Sequence, residues 1–188
     1  LFPFYTAKSL HKDIELKYAV SGLGKARASA CTQHVIDRYH PKLVINVGSA
    51  GGVCPKTKIA DVYFATTLIE YDFKSLKEKT PILSISTDLI NTAQKCNLSL
   101  GVLGSADQNA DSLEKKEMLH RLGITIADWE GAAVVKTCLI NHTKVAVIKT
   151  ITDTSNINFA KEFSENAFKF TERLYNVAIS FIEKFYEY

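Results

Sequence analysis

The sequence predicts an α/β fold in a single domain, and three observations carry that expectation. Short runs of aliphatic and β-branched residues, among them Lys42-Leu-Val-Ile-Asn-Val47 and Val145-Ala-Val-Ile148, have the length and continuity of buried strands. Between them lie longer segments with helical spacing and stop signals such as Pro41. Strands give way to small or polar residues near positions 21, 48, 104, 128 and 149, which would gather reactive groups along one sheet edge, where open α/β sheets bind ligands. At 188 residues, taken as one domain over 1–188, the chain buries roughly 70% of the surface it exposes when unfolded. No linker, repeat or low-complexity tract divides it.

The elements follow in order. Ile14, Leu16, Tyr18 and Val20 alternate with Glu15, Lys17 and Ala19, the pattern of a strand with one better-buried face. It ends in Ser21-Gly-Leu-Gly-Lys25, where two glycines allow either a close approach of backbone to ligand or an ordinary strand-to-helix turn. Arg27 at the third glycine position and Ala26 in place of a Walker Ser or Thr make it a poor nucleotide fingerprint. A helix runs from Ala26 to about Tyr39. The strand from Lys42 to Val47 then enters Gly48-Ser-Ala-Gly-Gly52, a small-residue run expected to leave backbone N–H groups and the Ser49 hydroxyl open to a sugar or phosphate.

Asp61 to Ile69 reads as a strand, and Glu70 to Thr80 as an exposed excursion with no chemistry of its own. Ser86 to Asn97 has helix character, Leu100 to Gly104 strand character, and Ser105-Ala-Asp-Gln-Asn109 follows as another small and acidic cluster. Asp111 to Leu122 predicts an amphipathic helix with Leu113, Met118, Leu119 and Leu122 near one face. Ile124 to Ala127 is the next strand, followed by Asp128-Trp-Glu-Gly-Ala-Ala133 and a helix to about Asn141. Glu130 either caps that helix or faces the sheet edge to hold ribose hydroxyls, and Trp129 is either core or an apolar wall of the site. After Val145 to Ile148 the chain turns polar, placing Lys149, Thr150, Thr152 and Asp153 at a strand end. There a desolvated carboxylate can act as a general acid, or Thr152 and Asp153 can simply cap the next helix. Phe159 to Tyr188 reads mostly as one long helix burying Phe163, Ala167, Phe170, Leu174, Val177 and Phe181.

Composition narrows the partners. The formal charge of +3 is small and its lysines are interspersed with acids, which gives no basis for a nucleic-acid or membrane-surface partner. No apolar run approaches the ~20 residues of a membrane span. Cys31, Cys54, Cys96 and Cys138 form no Cys-x-x-Cys pair and read as reduced thiols of a cytoplasmic protein. The histidines fall on no metal-ligand spacing, no metal or cofactor is expected, and no secretory signal is read.

Together, Ser21-Gly-Leu-Gly-Lys25, Asn46-Val-Gly-Ser-Ala-Gly-Gly52, Asp61-Val-Tyr63, Gly104-Ser-Ala-Asp-Gln108, Asp128-Trp-Glu-Gly-Ala-Ala133 and Lys149-Thr-Ile-Thr-Asp153 resemble the ordered motifs of the nucleoside phosphorylase superfamily. The nearest branch is the methylthioadenosine/S-adenosylhomocysteine nucleosidases with the futalosine hydrolases. The resemblance spans roughly residues 14 to 185. It implies a three-layer sandwich with a central twisted mixed sheet flanked by helices. It also implies an enzyme that cleaves the N-glycosidic bond of a small-molecule nucleoside modified at the 5′ position.

Residue by residue, Asp153 matches the general acid at purine N7, and Thr152 the hydroxyl residue beside it. Glu130 matches the carboxylate that holds ribose hydroxyls. Trp129 lies where many members place Met against the sugar, next to Asp128. Ser49, Ala50 and Gly51 match the loop near the nucleophilic water. Lys149 stands where nucleosidases have Arg, Asn109 where many stack Phe on the base, and Phe163 is placed toward the 5′ substituent. The family's first strand and its water-activating Glu have no match in Leu1 to Leu10, so Asp128 with Glu130 is the alternative pair for that task. Lys25 and Arg27 follow the glycine turn without a clear Arg set for phosphate, which favours water over phosphate as nucleophile. The Glu130-Gly-Ala-Ala133 form resembles futalosine hydrolases and points toward menaquinone biosynthesis. A phosphorylase and a binding protein without turnover are the alternatives. Relatives imply a homodimer, for which the apolar residues between Val53 and Ile69 are the expected interface.

Overall fold

The computed structural model describes residues 2–7, 14–154 and 158–187. β1 (Phe4–Ala7) and β2 (Leu16–Ala19) form a separate antiparallel hairpin ladder, so the alternating segment is a strand but stands outside the main sheet. α1 (Lys25–Tyr39) starts after Gly24 and stops where His40 adopts a left-handed conformation, its N–H bonded to Ile36 O, just before Pro41.

β3 (Leu43–Gly52) departs from the expected strand-then-loop. The glycine run 48–52 continues the strand. Gly48, Ser49 and Ala50 pair with Lys149, Thr150 and Ile151, while Gly51 pairs with both Asp153 and Ala127. The small residues serve packing there, since a Cβ on Gly52 would collide with the Thr57 hydroxyl. The run is thus strand and not loop, paired along β8 through Gly51 and, on its other side, with β7 at Gly51 and Gly52.

β4 (Val62–Glu70) agrees with expectation, and a short β5 (Ile82–Ser84) pairs beside it, too brief to register as a periodic run. α2 (Thr87–Lys95) and β6 (Ser99–Ser105) follow as read. α3 (Leu113–Arg121) is capped by Ser112 but buries only Leu119; Leu113, Met118 and Leu122 are 66%, 44% and 52% exposed. Residues 118 and 122 flank the buried stripe instead of lying on it, which overturns the four-residue face. β7 (Ile126–Asp128) is displaced two residues from the expected start. α4 (Gly131–Ile140) is buried almost all round, and its first turn fits closely because a Cβ on Gly131 would lie 2.5 Å from Leu103 Cδ2.

β8 (Lys144–Asp153) is ten residues long and buried beyond Lys144. The C-terminal segment is two helices, α5 (Phe159–Asn166) and α6 (Thr171–Tyr186), not one. Asn166 explains the break: its buried amide donates to Thr152 O at 3.0 Å and Glu162 O at 2.8 Å, tying the end of α5 to β8. Of the expected apolar face, Leu174 and Phe181 are buried and Phe163 is 42% exposed.

The six-stranded sheet has the order β5-β4-β6-β7-β3-β8, and β4 also pairs with β8, so the twisted sheet wraps until its strands meet. β4, β6 and β7 run parallel; β3 and β8 run parallel to each other but against that set, so the sheet is mixed. α1 packs on α4 and α2 on α6, flanking the sheet. The core joins Phe64, Leu68, Leu103, Ile126 and Ile148, with Phe64 and Phe181 rings stacked at 5.4 Å. Each such side chain contributes about 1.5–3 kcal/mol by leaving water. Val53, Val62, Phe64, Ala65 and Leu68 are buried in this chain's own core, while Ile59 is 37% exposed, so little of the 53–69 apolar set is left uncovered.

Candidate active site

The opposed strand directions correct the expectation that all the junctions line one edge. Lys149 lies within β8, and its ammonium reaches the carboxyl ends of β6 and β7 across Gly48. A Cβ on Gly48 would lie in ordinary contact with Lys149 Nζ at 3.5 Å, which places the ammonium directly over that glycine.

Asp128, the last residue of β7, is the hub. Its carboxylate accepts from Ser105 Oγ at 2.5 Å, from Gly131 N at 2.9 Å and from Lys149 Nζ at 2.8 Å. Ser105 Oγ in turn accepts from Ala132 N at 2.9 Å. Asp128 and Ser105 therefore satisfy the first amides of α4, a duty the sequence left open for Glu130. The Lys149 and Asp128 side chains are 2% and 1% exposed, a pair that holds only while both members are present. Asp128 is thus engaged by three donors of the protein itself.

Glu130 occupies the residue before α4 but makes no side-chain cap bond. Its Oε1 instead accepts from Gly24 N, 2.9 Å away in the turn before α1. Burial pushes the Glu130 carboxyl up; the Lys149 charge and the amides of Gly24 and Trp129 pull against this, and Asp128 adds to the rise. A half-buried carboxylate, free of structural duty and held by one amide from a glycine turn, is equipped to hold hydroxyls or take a proton. Trp129 beside it is half-buried, not core.

Asp153 ends β8 and is 8% exposed; Thr152 Oγ1 donates to its Oδ2 at 3.3 Å. It precedes the first residue of α5 by six positions, so it does not cap that helix. Asp153 lies opposite Gly51 and Gly51 opposite Ala127, which sets Asp153 about 10 Å across the sheet from the Asp128 strand. Ser49 sits half-buried beside Thr150, Ala50 is buried, and Gly51 lies between the two acidic strands. Asn109 is half-buried after β6, its carbonyl accepting from Lys115 Nζ at 2.8 Å. Phe163 lies on α5, whose Glu162 binds Thr154 N next to Asp153. A hollow of about 520 Å³ between the α2 end and α6, lined by Cys96, Lys169 and Arg173, shares no residue with this cluster.

Two groups escaped the sequence reading. Ser105 stood in a quoted motif without a role. The excursion 70–80 is exposed from 74 onward, but Glu70 and Asp72 turn inward to bind Lys25 Nζ at 2.8 and 2.6 Å. Alternating acids and lysines there gave no signal of this. Among the described residues, β1 pairs with β2 and lies outside the six-stranded sheet.

The mixed wrapped sheet carries one acid at the end of β8, another after β7 on the far side of β3, and a glycine turn against the latter; the chain belongs to the phosphorylase superfamily, whose model matches residues 2–183. More particularly, it is 32% identical over 149 residues to the 5′-methylthioadenosine/S-adenosylhomocysteine nucleosidase of Thermotoga maritima, covering 77% of this chain and 68% of that one. Its fold is similar to the Helicobacter pylori enzyme of the same description, with TM-score 0.85 at 24% identity over 99% of this chain and 84% of the other. It is equally similar to the futalosine hydrolase of Helicobacter pylori, with TM-score 0.85 at 22% identity over 99% of this chain and 84% of that one.

Proposed function

We propose that this chain is a nucleosidase that hydrolyses the N-glycosidic bond of a purine nucleoside modified at the 5′ position. The substrate class is that of methylthioadenosine, S-adenosylhomocysteine, 6-amino-6-deoxyfutalosine and futalosine, the last two being intermediates of menaquinone biosynthesis. The observation that carries the proposal is Glu130, relieved of helix capping by Asp128 and Ser105 and held on Gly24 N.

Asp153 donates a proton at purine N7, so the base leaves neutral while positive charge develops on the ribose. An acid so placed contributes about 10²–10⁴ in rate. Glu130 holds the ribose hydroxyls and favours that charge. Of the two carboxylates considered for activating water, Asp128 is engaged by Lys149, Ser105 and Gly131, which leaves Glu130 to receive the water's proton. Ser49 and Gly51 line the water's side, Trp129 the sugar, Asn109 the base, and Phe163 the 5′ group; Lys149 keeps charge but not the planar fork of Arg. Of the two cations beside the glycine turn, Arg27 lies against Gly22 while Lys25 already binds Glu70 and Asp72, and that engagement supports water as nucleophile.

The test is release of adenine or hypoxanthine from the four nucleosides. Release from at least one supports the reading, and ligand binding without release from any would make the chain a binding protein. A cytoplasmic setting is supported by four free thiols, and no helix among the described residues is long and apolar enough to cross a membrane. A homodimer is proposed from the resemblance, with Leu139 and Ile140 left uncovered on α4; monomeric elution in size exclusion would contradict it.

A further inference from the structure

The turn at 21–25 has little to hold it in place. Gly22 and Gly24 both adopt positive φ, and Gly24, at the start of α1, receives no side-chain cap. Yet its N–H meets Glu130 Oε1 at 2.9 Å. The next residue explains how. Lys25 N donates to Asp107 Oδ1 at 2.8 Å, while Lys25 Nζ bonds Glu70 Oε1 at 2.8 Å and Asp72 Oδ1 at 2.6 Å. Asp72 Oδ2 then accepts from Asp107 N at 2.9 Å, closing a ring that joins the turn to the ends of β4 and β6. Lys136 adds a longer contact to Glu70 at 3.4 Å.

The Lys25, Glu70 and Asp72 side chains are 18%, 13% and 21% exposed, so water and salt screen the cluster less than a surface pair. Three acids from two loops and a strand end converge on one lysine, and without its charge Glu70 and Asp72 repel each other.

We infer that Lys25, with Asp72 and Asp107, is a positioning clamp that holds the Gly24 amide against Glu130 and so keeps that carboxylate ionised and aimed at the ribose. This rests on the role proposed for Glu130. Lys25 acts through the turn and touches no substrate. The charged groups that face Glu130 itself are Lys149 and Asp128, and neither changes when the clamp is opened. Loss of the Gly24 amide therefore raises the pH at which Glu130 ionises, since burial is then opposed by Lys149 and the Trp129 amide alone.

Lys25→Met, which keeps the stem and removes the charge, and Asp107→Ala, at an exposed side chain, are compared with Lys25→Arg and Glu130→Gln. The acid limb of the pH profile of kcat/KM moves up by about one pH unit in the first two, roughly tenfold in rate on that limb, and returns in Lys25→Arg. The Gly24 amide resonance, followed by nuclear magnetic resonance against pH, reads the same contact without turnover. It tracks Glu130 ionisation in the parent, loses that step in Glu130→Gln, and has it weakened in Lys25→Met and Asp107→Ala. If Lys25→Met does not fold, Asp107→Ala carries the test. An acid limb and Gly24 titration unmoved in a folded clamp variant would overturn the clamp while leaving Glu130 in its role. Unchanged turnover in Glu130→Gln would instead remove the role on which the clamp depends.

Discussion

In the proposed mechanism Asp153 and Glu130 divide the work of breaking one bond: Asp153 is buried at the end of β8, and Glu130 is half-buried with one oxygen held by the Gly24 amide. Asp153→Asn keeps shape and hydrogen bonding but cannot release a proton as an acid, so turnover falls by about 10²-fold or more with the far-ultraviolet circular dichroism unchanged. Near-normal turnover would remove Asp153 from the mechanism. Glu130 gives a second prediction with a definite sign. Its carboxyl is raised by burial, so between the ordinary carboxylate range and the raised value the native state holds a proton that the unfolded chain has lost. Stability therefore falls as pH rises through that window. Glu130→Gln removes the penalty: at neutral pH it melts above the parent while losing activity, and the two melting curves converge toward pH 4. A lower melting point at pH 7 would contradict this. Both residues were legible in the sequence as acids after strands, but the release of Glu130 from capping was not. That depends on Asp128 and Ser105, 23 positions apart, meeting at the same helix start.

Elements hold these side chains through a few polar ties whose loss is measurable. Asp128→Ala leaves the Lys149 ammonium buried without its partner and strips α4 of its cap, a loss of about 3–5 kcal/mol by urea unfolding. A change below 1 kcal/mol would mean that the pair is well hydrated. Asn166→Ala leaves the Thr152 carbonyl without its amide donor and costs about 1–3 kcal/mol, with α5 exchanging its amide hydrogens faster than α6. Equal exchange in parent and variant would deny Asn166 its tie. The strands were readable because aliphatic runs cannot sit in water, and α1 and α2 because their ends carry stop and cap residues. The extension of β3 through its glycines was not, since a run of small residues reads as a turn until its neighbours are known. The break before α6 was equally hidden, because it is made by an asparagine reaching back to a strand and not by Gly or Pro.

For the molecule as a whole, fold class and superfamily were legible because six motifs stand in order along the chain. The direction of β3 and β8 against β4, β6 and β7 was not, because strand polarity follows from long-range pairing. That reversal is what brings Lys149 to Asp128 and sets Asp153 across Gly51 from β7. On this fold the proposed mechanism sets Asp153 and Glu130 on one nucleoside, with Lys25 of the glycine turn already bound to Glu70 and Asp72. The most direct measurement is the identity of the sugar released from methylthioadenosine with and without millimolar phosphate. Free methylthioribose at a rate indifferent to phosphate is expected; a sugar 1-phosphate that forms only when phosphate is present would contradict hydrolysis.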